Sequence, residues 1–137
     1  MISRLGSVPV FVSDQDRALA FYRDKLGFEV VFDQRYGPEL RWVTVARKKG
    51  ETEIVLFCPL PAIVGERYDE VKDRIGTWTG IVFITEDIEA AHKTMRERGV
   101  EFRTSPTRQG WGGIEAIFFD PDGNSFHLVQ RLEPGSP

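Results

Sequence analysis

The sequence predicts an α+β fold in which tandem βαβββ modules form curved mixed sheets around a cleft. Three observations lead there. The chain repeats itself at a spacing of about 72 residues, so that residues 10–57 match residues 82–129. Val12-Ser13-Asp14 answers Ile84-Thr85-Glu86, Trp42 to Val45 answers Ile114 to Ile117, and Ile54-Val55-Leu56 answers Phe126-His127-Leu128. Each copy also reads, by periodicity alone, as strand, helix and three further strands. Finally, four strands with one helix cover a sheet on one face only, so the other face must meet a sister sheet or a ligand. Two such sheets side by side, each curled by normal twist, enclose a cleft whose side chains carry the function.

The elements follow in order. Residues 8–12 are apolar enough for a strand, and Ser13 with Asp16 resembles a capping box that opens a helix. Ala18, Leu19, Tyr22 and Leu26 recur at helical spacing until Gly27 stops the helix. Strands are predicted over residues 28–32, 41–46 and 53–57, the last two separated by the turn Lys48-Lys49-Gly50. Pro59-Leu60-Pro61 closes the first copy, and residues 66–75 form a short connecting helix with Tyr68, Val71 and Ile75 on one side. In the second copy residues 81–84 form a strand, and Asp87 caps a helix carrying Ile88, Ala91 and Met95 that Gly99 ends. Strands follow from Val100, over residues 114–119 and over residues 125–129, with Asp120-Pro121-Asp122-Gly123 as a sharp turn. One domain, 1–137, is therefore expected from two repeats at about 5–58 and 77–130, with a polar tail after Gln130 and Arg131.

Composition excludes several function classes. With 18 Lys and Arg against 21 Asp and Glu, net charge −3, there is no basic block to bind a phosphate backbone, and nucleic acid is not an expected partner. No apolar run approaches the roughly 20 residues needed to cross a bilayer, and the start lacks a secretory signal. No membrane association is expected, and the location is expected to be cytoplasmic. The single Cys58 forms no intrachain disulfide and reads as the end of a buried strand.

Candidate site residues come from strand alternation. His127 stands between Phe126 and Leu128, so it points to the opposite face, with Ser125 and Val129. Its counterpart in the first copy is Val55, flanked on the same face by Glu53 and Phe57. Glu53 and Glu115 are carboxylates among apolar strand neighbours and call for a partner or an exposed edge. Arg41 can answer such an acid or hold an anionic ligand, as can Arg103 and Arg108. Most aromatics are core fillers, but Trp42, Trp78 and Trp111 are placed differently. Trp111, in Gln109-Gly110-Trp111-Gly112-Gly113, is expected on a flexible loop where it caps a ligand or a partner subunit. The ligand-contacting set is thus His127, Glu53, Phe57, Trp42, Trp111, Arg41 and Glu115, with no residue assigned to catalysis or to a metal. His92, on the second helix, is expected to be solvated.

These residues resemble the vicinal oxygen chelate superfamily, the glyoxalase, bleomycin-resistance and extradiol-dioxygenase group. The likeness runs from Val12-Ser13-Asp14 through Ala18-Leu19-Ala20-Phe21-Tyr22-Arg23-Asp24-Lys25-Leu26-Gly27-Phe28, and from Asp87-Ile88-Glu89-Ala90-Ala91 to Gly99-Val100. Phe119-Asp120-Pro121-Asp122-Gly123-Asn124 is similar to the family's late turn. In metal-dependent members the resemblance implies ligands on the first and last strand of each half, falling here at Ser7, Val55, Gly80 or Thr79, and His127. Only His127 is an able donor, so the resemblance implies the metal-free branch, which holds a small organic molecule in an aromatic-lined cleft without a cofactor. It also implies a homodimer. The alternative is a divalent-metal-dependent lyase, isomerase or dioxygenase using Glu53 or Glu115 to move a proton. A third reading makes the chain an interacting subunit that docks through the Trp111 loop.

Overall fold

The computed structural model describes residues 1–132; residues 133–137 of the expected polar tail lie outside the described residues. The chain divides into two compact units, Met1–Gly76 and a second beginning at Thr77. Each holds one four-stranded mixed sheet with a helix on one face, so the repeated βαβββ architecture is present in both.

In the first unit, strand β1 (Ser7–Phe11) leads into helix α1 (Gln15–Ala20), which widens into a π turn over Phe21–Lys25. Strands β2 (Glu29–Tyr36), β3 (Leu40–Ala46) and β4 (Glu53–Phe57) follow, in the spatial order β1-β4-β3-β2. The parallel pair β1 and β4 sets Ser7 opposite Glu53 and Pro9 opposite Val55. Asp14, not Ser13, caps α1: its side chain accepts from the Arg17 amide at 3.0 Å. The π turn also departs from the expected helical spacing. Phe21 and Tyr22 are both inside, at 4% and 0% exposure and edge to face at 5.1 Å. Gln15 fixes the start of α1 on the sheet, donating from Nε2 to the carbonyls of Arg41 at 2.8 Å and Leu56 at 2.9 Å.

The connecting segment is broken rather than one helix over residues 66–75. Helix α2 (Pro61–Val64), a single 3₁₀ turn (Gly65–Arg67) and helix α3 (Tyr68–Lys72) replace it, with Gly65 at φ +61° ending α2. Val71 is the one residue of α3 that is buried.

In the second unit, strand β5 (Trp78–Ile84) is longer than expected and begins at Trp78 rather than Ile81. Helix α4 (Ile88–Glu97), capped by Asp87, precedes strands β6 (Glu101–Arg108), β7 (Gly113–Phe119) and β8 (Ser125–Arg131), ordered β5-β8-β7-β6. Val12 and Thr85 make equivalent bonds at the strand ends, donating to Phe57 and Val129 at 2.9 Å each. Thr85, not Ile84, is therefore the true counterpart of Val12, and β5 carries two residues more than β1. A bulge between Trp78 and Val82 absorbs them, with Gly80 at φ +73°.

Under α4 lies a cluster of rings. Phe118 and Phe126 stack at 5.4 Å, Phe83 adds contacts at 6.0 and 5.4 Å, and Phe102 meets Phe118 at 5.8 Å. His92, expected to be solvated, is half-buried, with its ring edge-on to Phe102 at 4.5 Å. Among the described residues no helix is long and apolar enough to cross a membrane.

Arg41 is committed to the first unit's own structure. Its guanidinium bonds Asp33 through Nε at 2.8 Å and Nη2 at 2.9 Å, and Asp16 through Nη1 at 2.7 Å. Hydrogen bonding to Arg41 is the main reason the Asp33 carboxyl is held below its ordinary range, against a smaller desolvation effect. A depressed folded-state pKa stabilises above the unfolded value and loses that stabilisation as pH falls through the folded one. Asp33→Asn should therefore be less stable than the parent near neutrality, and the gap should close on acidification from about pH 4 downward. Paired urea titrations across that range check this; a gap independent of pH would contradict it.

Candidate functional site

The second unit's sheet has two unlike faces. The Phe cluster and α4 occupy one. On the other, the register sets Val82 of β5 and Ile117 of β7 on either side of His127 of β8, and Ile84 and Glu115 on either side of Val129. Alternation along an edge strand leaves Trp78, Val82 and Ile84 exposed at 70%, 51% and 47%. An apolar row of that kind with polar groups beside it is the form a binding surface takes.

At its centre is a hydrogen-bonded chain. Trp78 Nε1 donates to His127 Nε2 at 2.8 Å, and His127 Nδ1 meets Glu115 Oε2 at 3.0 Å. An indole N–H only donates, so Nε2 must offer its lone pair. Nδ1 therefore carries the proton and donates to the Glu115 carboxylate, which fixes both the tautomer and the ring's orientation. The two side chains are 20% and 22% exposed, close enough to the surface for a ligand and dry enough to strengthen the bonds.

Both tryptophans of this face are seated on glycine. The Trp78 ring lies over Gly80, 3.4 Å from where a Cβ would stand. Trp111 folds back over Gly113 so closely that a Cβ there would clash with the ring. Gly113 shares a strand face with Glu115, so Trp111 borders the Glu115–His127 pair from the β7 side. The expected flexible loop is a closed turn between β6 and β7, with Gln109 N–H bonded to Gly113 O at 2.9 Å and Gly112 N–H to Gln109 O at 3.1 Å.

Of the residues singled out in the sequence, the structure thus brings together His127, Glu115 and Trp111. It places Glu53, Phe57 and Trp42 in the first unit. Glu53 is half-buried opposite Ser7, Phe57 is edge-on to Phe11 at 6.0 Å, and Trp42 faces Gln34 across β2. Arg41 lies on the helix side of its sheet with both carboxylates. Trp78 was the missing member of the set: the strand was expected to begin at Ile81, so Trp78 lay outside it and was not aligned with Val82 and Ile84. Thr44, on the helix-free face of the first sheet, has a buried hydroxyl that makes no hydrogen bond among the described residues.

Of the positions at which the resemblance implies metal ligands, Val55 and Gly80 offer no side-chain donor, Thr79 Oγ1 bonds Ser125 O at 2.7 Å and the Ile81 amide at 3.1 Å, and His127 bonds Trp78 and Glu115. No group of three or more His, Cys, Asp or Glu able to hold a metal occurs among the described residues.

Comparison with known proteins agrees with this architecture. The model of the Glyoxalase/Bleomycin resistance protein/Dioxygenase superfamily matches residues 4–128. The uncharacterised protein YetH of Bacillus subtilis (strain 168) is 37% identical over 130 residues, covering 95% of this chain and 100% of YetH. A superfamily member from Sphaerobacter thermophilus DSM 20745 superposes with a TM-score of 0.83 at 42% identity, covering 95% of this chain and 98% of that one. TnmS3, an antibiotic binding protein from Streptomyces sp. CB03234, superposes with a TM-score of 0.76 at 34% identity, covering 95% and 97%. A match over nearly the whole chain, on the same repeated modules, makes this protein a member of the glyoxalase, bleomycin resistance protein and dioxygenase superfamily.

Proposed function

We propose that this protein binds a small, planar organic molecule on the helix-free face of its second unit, without a metal ion. The observation that carries the reading is the pair of glycine-seated tryptophans, Trp78 and Trp111, flanking a polar Glu115–His127 pair among exposed aliphatic side chains. Indole faces and branched aliphatics supply stacking area, while a single fixed imidazole supplies orientation. The likeness to TnmS3, an antibiotic binding protein, favours an aromatic natural product of the antibiotic kind, and hence sequestration rather than turnover.

Thermal shift and tryptophan quenching against a panel of aromatic antibiotics test this. A ligand at about 100 times its Kd should raise Tm by roughly 5–10 °C, equally before and after treatment with EDTA. Trp78→Ala and Trp111→Ala should each reduce the quench. No stabilisation by any panel member, or stabilisation only after a transition metal is added, refutes the proposal.

A further inference from the structure

We infer that the molecule bound on this face carries an acidic aromatic hydroxyl, of the phenol class, which takes the place of the Trp78 indole at Nε2 of His127. The inference rests on the proposed binding face and adds to it the chemistry that the face selects.

The Glu115 carboxylate holds the proton of the neutral His127 ring on Nδ1, so Nε2 is the acceptor and takes the Trp78 indole N–H. Turning the imidazole over would set a lone pair against the carboxylate, which keeps the acceptor from becoming a donor. A ligand oxygen without a hydrogen, such as an ether or a carbonyl, would meet that lone pair with its own. An O–H meets it with a hydrogen bond, and the carboxylate behind the ring strengthens that bond as the hydroxyl becomes more acidic.

The present occupant is built to leave. Trp78 is 70% exposed on an edge strand, and its indole N–H, released from His127 at 2.8 Å, passes directly to water. Its ring rests on Gly80, which has no side chain, so moving the ring uncovers a flat patch of backbone beside Nε2. Val82 and Ile117 stand opposite His127 on the neighbouring strands and offer apolar contact to an incoming aromatic ring. Trp78 is thus a stand-in for the ligand: a flat aromatic body with one N–H directed at the imidazole.

The test compares 2-naphthol with 2-methoxynaphthalene, by calorimetry and by following the Trp78 indole N–H cross-peak in nitrogen–proton spectra. The naphthol should bind at least about fivefold more tightly than its methyl ether, the value of one net hydrogen bond, and should move the Trp78 cross-peak. Trp78→Phe keeps an apolar ring and deletes the competing donor. It should tighten naphthol by a few-fold and leave the ether unchanged, whereas a Trp78 serving only as a stacking wall would make the variant bind both more weakly. Equal affinity for the two compounds, or an unmoved cross-peak at saturation, overturns the inference and leaves the binding face standing. Neither compound binding while other aromatics do also overturns it; silence from every aromatic tested removes the binding face as well.

Discussion

Phe118→Ala should lower the free energy of unfolding by about 3–5 kcal/mol. Phe118 is 1% exposed and touches rings on three sides, stacked on Phe126 at 5.4 Å, near-parallel to Phe83 at 6.0 Å and tilted against Phe102 at 5.8 Å. Those partners come from β5, β6 and β8, so no single strand can shift to fill the space a truncated side chain leaves. Rigid rings relax into a cavity less readily than aliphatic chains, which places the cost toward the upper end of that range. Urea titration should show a lower midpoint with an unchanged slope. A loss below about 1 kcal/mol would mean that this ring cluster is not the centre of the unit's core.

The second large effect is expected at Asp120, and it reaches the site through strand register. Asp120 Oδ1 accepts from the amides of Asp122 at 3.0 Å and Asn124 at 2.9 Å, and Oδ2 from Asn124 Nδ2 at 2.8 Å. Asp120 is 5% and Asn124 1% exposed, so Asp120→Ala withdraws an ionised acceptor from buried donors. About 3 kcal/mol is the expected loss, with Asp120→Asn falling between variant and parent. The same turn closes the β7–β8 hairpin that sets Ile117 opposite His127 and Glu115 opposite Val129. Because a slip of one residue sends every side chain to the other face, loosening the turn should also weaken the Trp78–His127–Glu115 chain. Chemical denaturation measures the first effect, and the position of the Trp78 indole N–H resonance measures the second. A destabilised variant with that resonance unmoved would show that the turn bears on stability alone.

The fold was legible because its signals are short-ranged and occur twice. Apolar runs bounded by turn residues marked β4 and β7, glycines 27 and 99 marked the helix ends, and Asp120 to Gly123 marked the last turn, each a local property of the chain. The departures arise where extra residues change the local geometry. The π turn at Phe21–Lys25 and the bulge at Gly80 are both of this kind. The bulge matters more, because its two extra residues keep Trp78 on the face of Val82, where it bonds His127.

The site was legible only as a set of candidates. Period two put His127 on the helix-free face, but Arg41 and Glu115, two charged residues among apolar strand neighbours, read alike in sequence and differ in their partners. Arg41 meets Asp33 and Asp16, brought to it by β2 and α1, and becomes part of the scaffold. Glu115 meets an imidazole twelve residues away on the adjacent strand and becomes part of a polar chain on an open face.

What the amino-acid order determined by itself was the duplicated βαβββ plan, the superfamily it resembles and the face to which each strand residue points. These follow from periodicity, which depends only on neighbours along the chain. What tertiary structure alone decided was the partner of each polar group: which acid meets which base, which nitrogen of His127 holds the proton, and which tryptophan rests over which glycine. Such pairings depend on cross-strand register and on the direction of long side chains, and both are set only when distant segments pack.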